Sequence, residues 1–363
     1  MRPRRLVSVI VAFLLLATLT GGSVSASSWD KGQRHFYTTA GQLDKGQVGD
    51  VLAHHHMFVE LGAVPPTHYT EATPEAVYDV IGPWLEDAKA LGIGAFVEMT
   101  PLGVGRRPDI VKYAADRAGL PTMLVTGIYR EPFMPDWVYG ASVAQIADFM
   151  RKELTVGVED TGVPAGIIKL SQNATGMTVT ERKVLEAACV VAKQTGAAIA
   201  SHITAGPTAL SVMDALDAFG CPTSKYRFIW IHAGWTAGMT GASLEGGRTG
   251  ADSGMSYLMA AAKRGAYISL DGIGSRFWGA PTNDYATNIG WIRQLVTAGF
   301  QNKIIIGADT GWYDPGYPGG IWDYMQDYRS VPAEFVPAMR AAGLSDGLIK
   351  KLMQDNPFDA YSR

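Results

Sequence analysis

Eight short apolar runs recur along the chain, and each is followed by a loop and then an amphipathic stretch. The runs are rich in Ile, Val and aromatic residues and are bounded by Gly or Pro, a pattern typical of buried strands. They cover residues 50–58, 94–101, 121–129, 165–171, 198–203, 227–233, 266–273 and 303–309. Eight strands that alternate with helices predict an α/β fold, a (β/α)8 TIM barrel. A doubly wound open sheet is the alternative, but no phosphate-binding glycine pattern follows the first run.

Helix boundary signals lie between the runs. Thr73 is placed to cap a helix that has Pro74 at its first position. Thr178 and Glu181 form a capping-box pattern at the start of a later helix, which Gly196 would end. These signals support the alternation of strands and helices.

Extra segments flank the eight runs. Residues 35–50 predict an N-terminal β-hairpin over the N-terminal end of the barrel, and residues 321–363 predict C-terminal helices. We therefore expect an N-terminal extension with its hairpin at 27–49 and a single barrel domain at 50–363.

Residues 1–26 differ from the rest of the chain. A basic start is followed by an apolar run of fifteen residues and then by small residues ending at Ala26. This pattern predicts a signal peptide cleaved before Ser27, and the run is too short for a comfortable membrane span, so an uncleaved anchor is the weaker alternative. Arg4 and Arg5 allow a twin-arginine export route. We expect a secreted or periplasmic protein with no stable membrane anchor.

Charge and cysteine content limit the partners. The predicted signal peptide carries three of the 31 basic residues and none of the 34 acidic ones, so the remainder is acidic. With no basic stripe or tail, nucleic acid is excluded as a partner, and a small molecule is expected. Cys189 and Cys221 are the two cysteines. Export allows a disulfide between them, but two cysteines do not make a disulfide framework, and we favour two free thiols.

Polar side chains fall at the ends of the predicted strands, where barrel enzymes place their chemistry. Each of these groups is costly to bury without a partner. They are His54 and His56, Lys169, His202, His232, Asp271 and Asp309. Their convergence on one barrel mouth predicts a metal site, whereas any single buried histidine is more often a hydrogen-bonded core residue.

The triplet His54–His56 is resolved by strand geometry. Side chains alternate between the faces of a strand, so His54 and His56 share one face and can chelate one ion. We expect His55 to face the helices and to be structural. His35 and His68 lie outside the strand-end pattern, and we expect them at the surface.

Lys169 is unusual in such a group because an ammonium repels a divalent metal. Burial would lower its pKa and favour a neutral amine, which can react with carbon dioxide to give an anionic carbamate. On the residues alone, a plain lysine paired with Asp309 remains the favoured alternative.

These residues resemble the phosphotriesterase family of the amidohydrolase superfamily, which includes phosphotriesterase-like lactonases. The resemblance rests on HxH in the first strand, lysine in the fourth, histidines in the fifth and sixth, and aspartate in the eighth. The segments TPLGVGR, TGIYREPF, AGIIKLS, RFIWIHAG and DNPFDAYSR support it, and it covers roughly residues 36–363. It is specific because the ligand set matches as a whole.

The resemblance implies a binuclear centre with two divalent metal ions per chain. It assigns His54, His56 and Asp309 to the more buried ion, His202 and His232 to the more exposed one, and Lys169, as its carbamate, to both. Zinc is the expected metal, with cobalt, manganese and iron as alternatives. A bridging hydroxide would attack the substrate, and Asp309 would take up its proton. Family members are often dimers, so a homodimer is expected.

The resemblance also suggests a substrate class. Tyr129 matches a tyrosine of lactonase-like members, and Asp271 matches an aspartate common in the family, although Gly272 follows where lactonases often have arginine. Both Tyr129 and Asp271 are therefore expected to bind the substrate. Trp235, Trp278, Trp312 and Tyr313 lie on strand-end loops and are expected to wall an apolar pocket. A lactone or carboxylic ester is therefore the expected substrate.

Three alternatives remain open. The chain could be an organophosphate triesterase, an amidohydrolase on the same scaffold, or an exported binding protein without catalysis. The complete ligand set argues against the last. The absence of a GxSxG segment disfavours a serine hydrolase.

Overall fold

Eight parallel strands form the predicted barrel, which confirms the (β/α)8 fold. They are Asp50–His55, Ile93–Glu98, Thr122–Met123 with Val125–Thr126, Ile167–Ser171, Ile199–His202, Phe228–Ile231, Tyr267–Leu270 and Ile304–Ile306. The third strand is interrupted at one residue, and each strand pairs with its sequence neighbour in parallel. Backbone hydrogen bonds from His56 N to Thr310 O and from Asp309 N to His54 O, both 3.1 Å, join the end of the eighth strand to the first.

This computed structural model describes residues 33–238, 254–276 and 282–363. The chain divides into two units, Met1–Gly32 and Gln33–Arg363, and the described residues belong to the second. The predicted signal peptide and Trp278 lie outside the described residues. Within those ranges, no helix is both long and apolar enough to cross a bilayer.

Alternate strand residues fill the barrel interior, and the residues between them face the helices. The buried interior cluster contains small and branched side chains from most of the strands, among them Val51, Ala53, Ala95, Val97, Ile167, Ala200, Ile229 and Ile305. Phe36 from the hairpin and Phe358 and Tyr361 from the C-terminal segment belong to the same cluster. The inward-facing polar residues, such as Lys169 and His202, follow the apolar ones along each strand and therefore lie at the carboxyl-terminal mouth.

The pairing of the first two strands is irregular close to the histidine triplet. Leu52 pairs with Phe96 and His55 pairs with Glu98, so the first strand contains one residue more than the second between these two pairs. An extra residue of this kind is a β-bulge, which changes the direction of the side chains that follow it.

Helices surround the strands and follow the predicted boundaries. They are Pro74–Ala90, Pro108–Ala118, Asp136–Gly140, Val143–Thr155, Val179–Thr195, Gly206–Ala218, Ala233–Gly238, Met255–Lys263 and Tyr285–Thr297, followed by Val336–Ala341, Asp346–Lys350 and Asn356–Tyr361. A 3-10 turn at Pro318–Gly320 and π-helical turns at Ser330–Phe335 and Lys351–Asp355 lie among the last of these. Thr73 accepts a hydrogen bond from the Ala76 backbone, and Thr178 and Glu181 form the predicted capping box.

The predicted hairpin is formed by Phe36–Thr38 and Gly41–Leu43, which pair antiparallel. Thr39 N donates to Thr122 O, 2.8 Å away at the start of the third strand, which places the hairpin at the amino-terminal end of the barrel.

The two cysteines correct the expectation of free thiols. Cys189, on the helix Val179–Thr195, and Cys221 form a disulfide bond. Both residues are buried. Because they are 32 residues apart, their proximity depends on packing that the local sequence does not show.

Candidate metal centre

The first strand presents two of its three consecutive histidines to a pocket at the barrel mouth. Alternation from the interior residue Ala53 would turn His55 inward, but the bulge resets the direction of the side chains. His54 and His56 line the pocket, whereas the His55 ring lies 5.6 Å from the ring of Tyr328 in the cluster outside the barrel interior. The structure therefore separates the triplet as predicted.

Asp309 lies between three of the histidines. Its Oδ1 is 3.0 Å from His56 Nε2 and 3.4 Å from His54 Nε2, and its Oδ2 is 3.8 Å from His232 Nε2. Asp309 and His232 have positive φ angles of 53° and 64°. Such backbone is uncommon in residues other than glycine and is concentrated at functional sites.

His202 and His232 form a second pair, with ring centroids 4.4 Å apart. The Tyr129 hydroxyl lies 3.4 Å from His202 Nδ1. Lys169 is almost fully buried in the fourth strand and lines the same pocket. All six predicted ligands thus converge on one pocket: His54, His56, Lys169, His202, His232 and Asp309.

The electrostatic environment shifts four of the six predicted ligands, Lys169, His202, His232 and Asp309, towards the protonation states that metal ligands need. At His56, burial lowers the pKa, but Asp309 and Glu98 outweigh it and raise that pKa. Burial lowers the pKa of Lys169 to about 8. Burial, together with the charges of His54 and Lys169, lowers the pKa of His232 to about 4, and burial beside His232 lowers that of His202. Although burial opposes it, the neighbouring histidines hold the pKa of Asp309 well below its usual value. Neutral imidazoles and an ionised carboxylate can bind a metal directly.

The structure does not contain the ion pair between Lys169 and Asp309 that was the alternative to a carbamate. Asp309 pairs with the histidines, and within the described ranges no ion pair joins a carboxylate to the Lys169 ammonium.

Asp271 lies behind the ligands and not in the pocket wall. Its Oδ1 is 3.0 Å from His54 Nδ1 and accepts a hydrogen bond from Ser269, while its Oδ2 accepts one from the backbone N–H of His232 at 2.8 Å. Asp271 was expected to bind the substrate, but it is almost fully buried and does not belong to the described lining of the pocket. Its buried carboxylate instead orients residues of both predicted ligand groups.

Two residues beside the centre were not singled out from the sequence. The Thr100 hydroxyl is 2.7 Å from His56 Nδ1, and it also bonds to the carboxylate of Glu98. Both residues are buried. Glu98, a carboxylate at the end of the second strand, was a sequence signal for a residue that supports a metal ligand. The direction of its side chain, however, depends on how the second strand pairs with the first.

The residues present fit a metal ion. His54 Nε2 is buried and lies 3.4 Å from Asp309 Oδ1, yet it forms no hydrogen bond with any residue that the structure describes. Buried polar atoms without partners are rare and costly, and a cation between these two atoms would satisfy His54 Nε2. Donor atoms of His54, His56 and Asp309 all lie within 4.8 Å of one another, as do those of His54, His232 and Asp271. Imidazole and carboxylate suit zinc and other first-row metals.

The rest of the pocket is mainly apolar. Beyond the six predicted ligands, its described lining consists of Val59, Leu61, Val104, Tyr129, Arg130, Phe133, Thr204, Trp235 and Trp312. Three residues that were predicted to bind the substrate or wall its pocket, Tyr129, Trp235 and Trp312, line this pocket. Tyr313 instead stacks on Phe58, with ring centroids 5.8 Å apart. Arg130 and Phe133, which belong to the same loop as Tyr129, were not predicted.

A barrel with imidazole, lysine and carboxylate side chains gathered at the carboxyl ends of its strands has the architecture of a barrel enzyme. Residues 34–361 match the model of the phosphotriesterase family. The chain belongs to this family of hydrolases, as its ligand pattern suggested.

Relatives in this family share about a quarter of their residues with the chain. A phosphotriesterase homology protein of Mycobacterium tuberculosis is 24% identical, with 90% of this chain and 97% of the relative covered. An aryldialkylphosphatase of Saccharolobus solfataricus is 23% identical over 88% of this chain and 97% of its own. An N-acetyltaurine hydrolase of Bos taurus is also 23% identical, with 88% and 95% covered.

Solved structures show the same fold. One, from work that engineered organophosphate hydrolysis from a weak promiscuous lactonase, has a TM-score of 0.74 at 22% identity and covers 90% of this chain and 99% of its own. A mutant organophosphorus hydrolase of Deinococcus radiodurans also has a TM-score of 0.74 at 22% identity, with 91% and 98% covered.

Proposed function

We propose that the protein is an exported hydrolase that holds two divalent metal ions and cleaves a lactone or carboxylic ester. The observation that carries the proposal is the convergence of six side chains that can bind metal on one pocket at the barrel mouth. Zinc is the favoured metal, and cobalt, manganese and iron also suit these ligands.

Each ligand has a proposed place. His54, His56 and Asp309 would hold the more buried ion, His202 and His232 the second, and Lys169 both. For the last role the Lys169 amine must be a carbamate: its nitrogen lone pair attacks the carbon of CO2, and the nitrogen loses a proton. The burial of Lys169 and its pKa of about 8 support this, because the neutral amine is accessible near neutral pH.

Divalent ions held in this way would lower the pKa of bound water and polarise the substrate's carbonyl or phosphoryl oxygen. Asp309 is ionised and central among the histidines, so it is placed to accept a proton from the attacking water. The apolar walls around Tyr129, Trp235 and Trp312 bind the organic part of the substrate and exclude bulk water.

The lactone or ester is favoured by Tyr129, which lies beside His202 at the position where lactonase-like members carry a tyrosine. Similarity to an aryldialkylphosphatase supports organophosphate triesters as the second candidate. Similarity to N-acetyltaurine hydrolases supports amide hydrolysis as the third. The retained ligand set argues against a non-catalytic binding protein.

Export is supported by the disulfide between Cys189 and Cys221, since such bonds persist in oxidising compartments. The predicted signal peptide at residues 1–26 points the same way.

Two measurements test the proposal. Metal analysis of protein purified with zinc or cobalt should find close to two ions per chain, and a metal-free protein under these conditions would contradict it. A panel of lactones, aryl esters, phosphotriesters and N-acyl amides should then show the highest kcat/KM for a lactone or ester. A highest value for an amide or a phosphotriester would replace the substrate class but keep the metal centre.

A further inference from the structure

The Thr100 hydroxyl, just beyond the second strand, has three polar neighbours. His56 Nδ1 lies 2.7 Å from it and the Phe58 carbonyl oxygen 3.0 Å from it. The third neighbour is Oε1 of Glu98. Thr100 and Glu98 are each 3% exposed, so water does not replace these contacts.

The Glu98 carboxylate acts as an acceptor through both of its oxygens. Its Oε1 receives the backbone N–H of Thr100 at 3.0 Å, and its Oε2 receives the backbone N–H of Met57. Glu98 therefore ties the end of the second strand to the segment that follows His56.

Donor counting favours a hydrogen on Nδ1 of His56. A threonine hydroxyl has one hydrogen, and the Glu98 carboxylate and the Phe58 carbonyl only accept. If Thr100 gives its hydrogen to one of them and accepts from Nδ1–H of His56, two of the three contacts are hydrogen bonds, whereas giving it to His56 Nδ1 makes only one. The Nε2 atom of His56, 3.0 Å from Asp309 Oδ1, is then the ring nitrogen that can offer a lone pair to a metal.

We propose that Glu98 and Thr100 form a relay that positions His56 and fixes the tautomer it presents to a metal ion. The proposal rests on the metal centre inferred above. Both members are positioning residues, because neither reaches the pocket and both act through the His56 ring. Hydrogen bonds of this kind orient a metal-binding imidazole and raise its basicity.

A second buried threonine–carboxylate pair provides a matched control. Thr126 Oγ1 donates to Glu153 Oε2 at 2.6 Å, and both residues are buried. Thr126 lies on the third strand of the same barrel, and no hydrogen bond described for its side chain involves a proposed ligand. Thr126→Val thus removes a similar buried hydrogen bond without touching His56.

The experiment compares Thr100→Val, Thr100→Ser, Glu98→Gln and Thr126→Val with the wild type in the full chain. Metal-depleted protein is titrated with zinc against a competing chelator, and the visible spectrum of the cobalt-loaded protein reports ligand geometry. We expect Thr100→Val to weaken zinc binding by roughly 10–100-fold and to change the cobalt spectrum. Glu98→Gln should weaken binding less, and Thr100→Ser, which keeps the hydroxyl, should bind zinc like the wild type.

The control separates positioning from packing. Thr126→Val should lower the melting temperature yet keep the zinc affinity and cobalt spectrum of the wild type. Wild-type zinc affinity in Thr100→Val, or an equal loss in Thr126→Val, would overturn the relay while leaving the metal centre intact. A wild-type protein that binds no zinc would overturn both. If Thr100→Val does not fold, the decision passes to Glu98→Gln and Thr100→Ser, and equal affinities in both would refute the relay.

Discussion

The two groups of proposed ligands are built differently. His54 and His56 share the carboxylate of Asp309, and carboxylates also stand behind them, Asp271 beside His54 and Glu98 near His56. In the facing pair, His202 and His232, the carboxylate contacts are longer: His232 lies 3.8 Å from oxygens of Asp271 and Asp309. Of these two, His202 has the Tyr129 phenol as its neighbour.

The difference concerns charge. The first group brings an anionic ligand of its own, so it can compensate a divalent cation. The second pair supplies two neutral imidazoles, and the charge of Lys169 contributes to lowering the pKa of both. A lysine ammonium therefore opposes a cation at the second position, whereas a carbamate on the same atom would favour one. We infer that Lys169 decides whether the second ion binds.

The largest effect on metal content should come from two single variants, each of which removes one ligand from a different group. His54→Ala should reduce bound zinc from two ions to one or none, because it removes the atom that faces Asp309 and disturbs the contact with Asp271. His202→Ala should retain the ion at the first group. Metal content after dialysis against a weak chelator measures both. Loss of the same ion in the two variants would show that the groups do not bind separate metals.

The second-largest effect should be the loss of activity in Lys169→Ala. We expect a loss of several kcal/mol in transition-state stabilisation, roughly 10³-fold in kcat/KM, because the second ion loses its anionic ligand. Short carboxylic acids should restore part of the activity by supplying that anion. The assay is kcat/KM with and without added propionate. Unchanged activity in the variant would refute the bridging role.

The sequence indicated the barrel and the six converging side chains because apolar runs and polar strand ends are local signals. It did not indicate the contacts behind the ligands. The partners of His54 and His56 include Asp271 and Thr100, which lie just beyond the ends of other strands, and the directions of their side chains depend on strand register. The bulge before His55 is another such feature, since it exists only in the pairing of two strands.

A smaller effect on zinc affinity should follow substitution of Asp271, whose carboxylate lies behind both ligand groups. Asp271→Asn keeps the volume but weakens the interaction with His54 Nδ1 and with the His232 backbone. We expect zinc affinity to fall about 10–100-fold at both positions. Chelator competition measures this. Asp314→Asn is the matched control, because Asp314 is buried and accepts backbone N–H groups of Leu61 and Gly316. A loss confined to one position would assign Asp271 to a single group.

The smallest effect on metal binding should come from the middle histidine. His55 is fully buried, its Nδ1 lies 3.3 Å from the Thr310 hydroxyl, and its ring packs against Phe96 and Tyr328. Burial lowers its pKa to about 3, so it is neutral and acts through packing. His55→Ala should lower the free energy of unfolding by roughly 1–3 kcal/mol, because a cavity forms and a hydrogen bond is lost, while zinc content stays at two ions. Denaturant unfolding and metal analysis check the two halves separately. Because His54→Ala differs from it by a single position in the sequence, equal metal loss in the two variants would show that the bulge does not turn His55 away from the pocket.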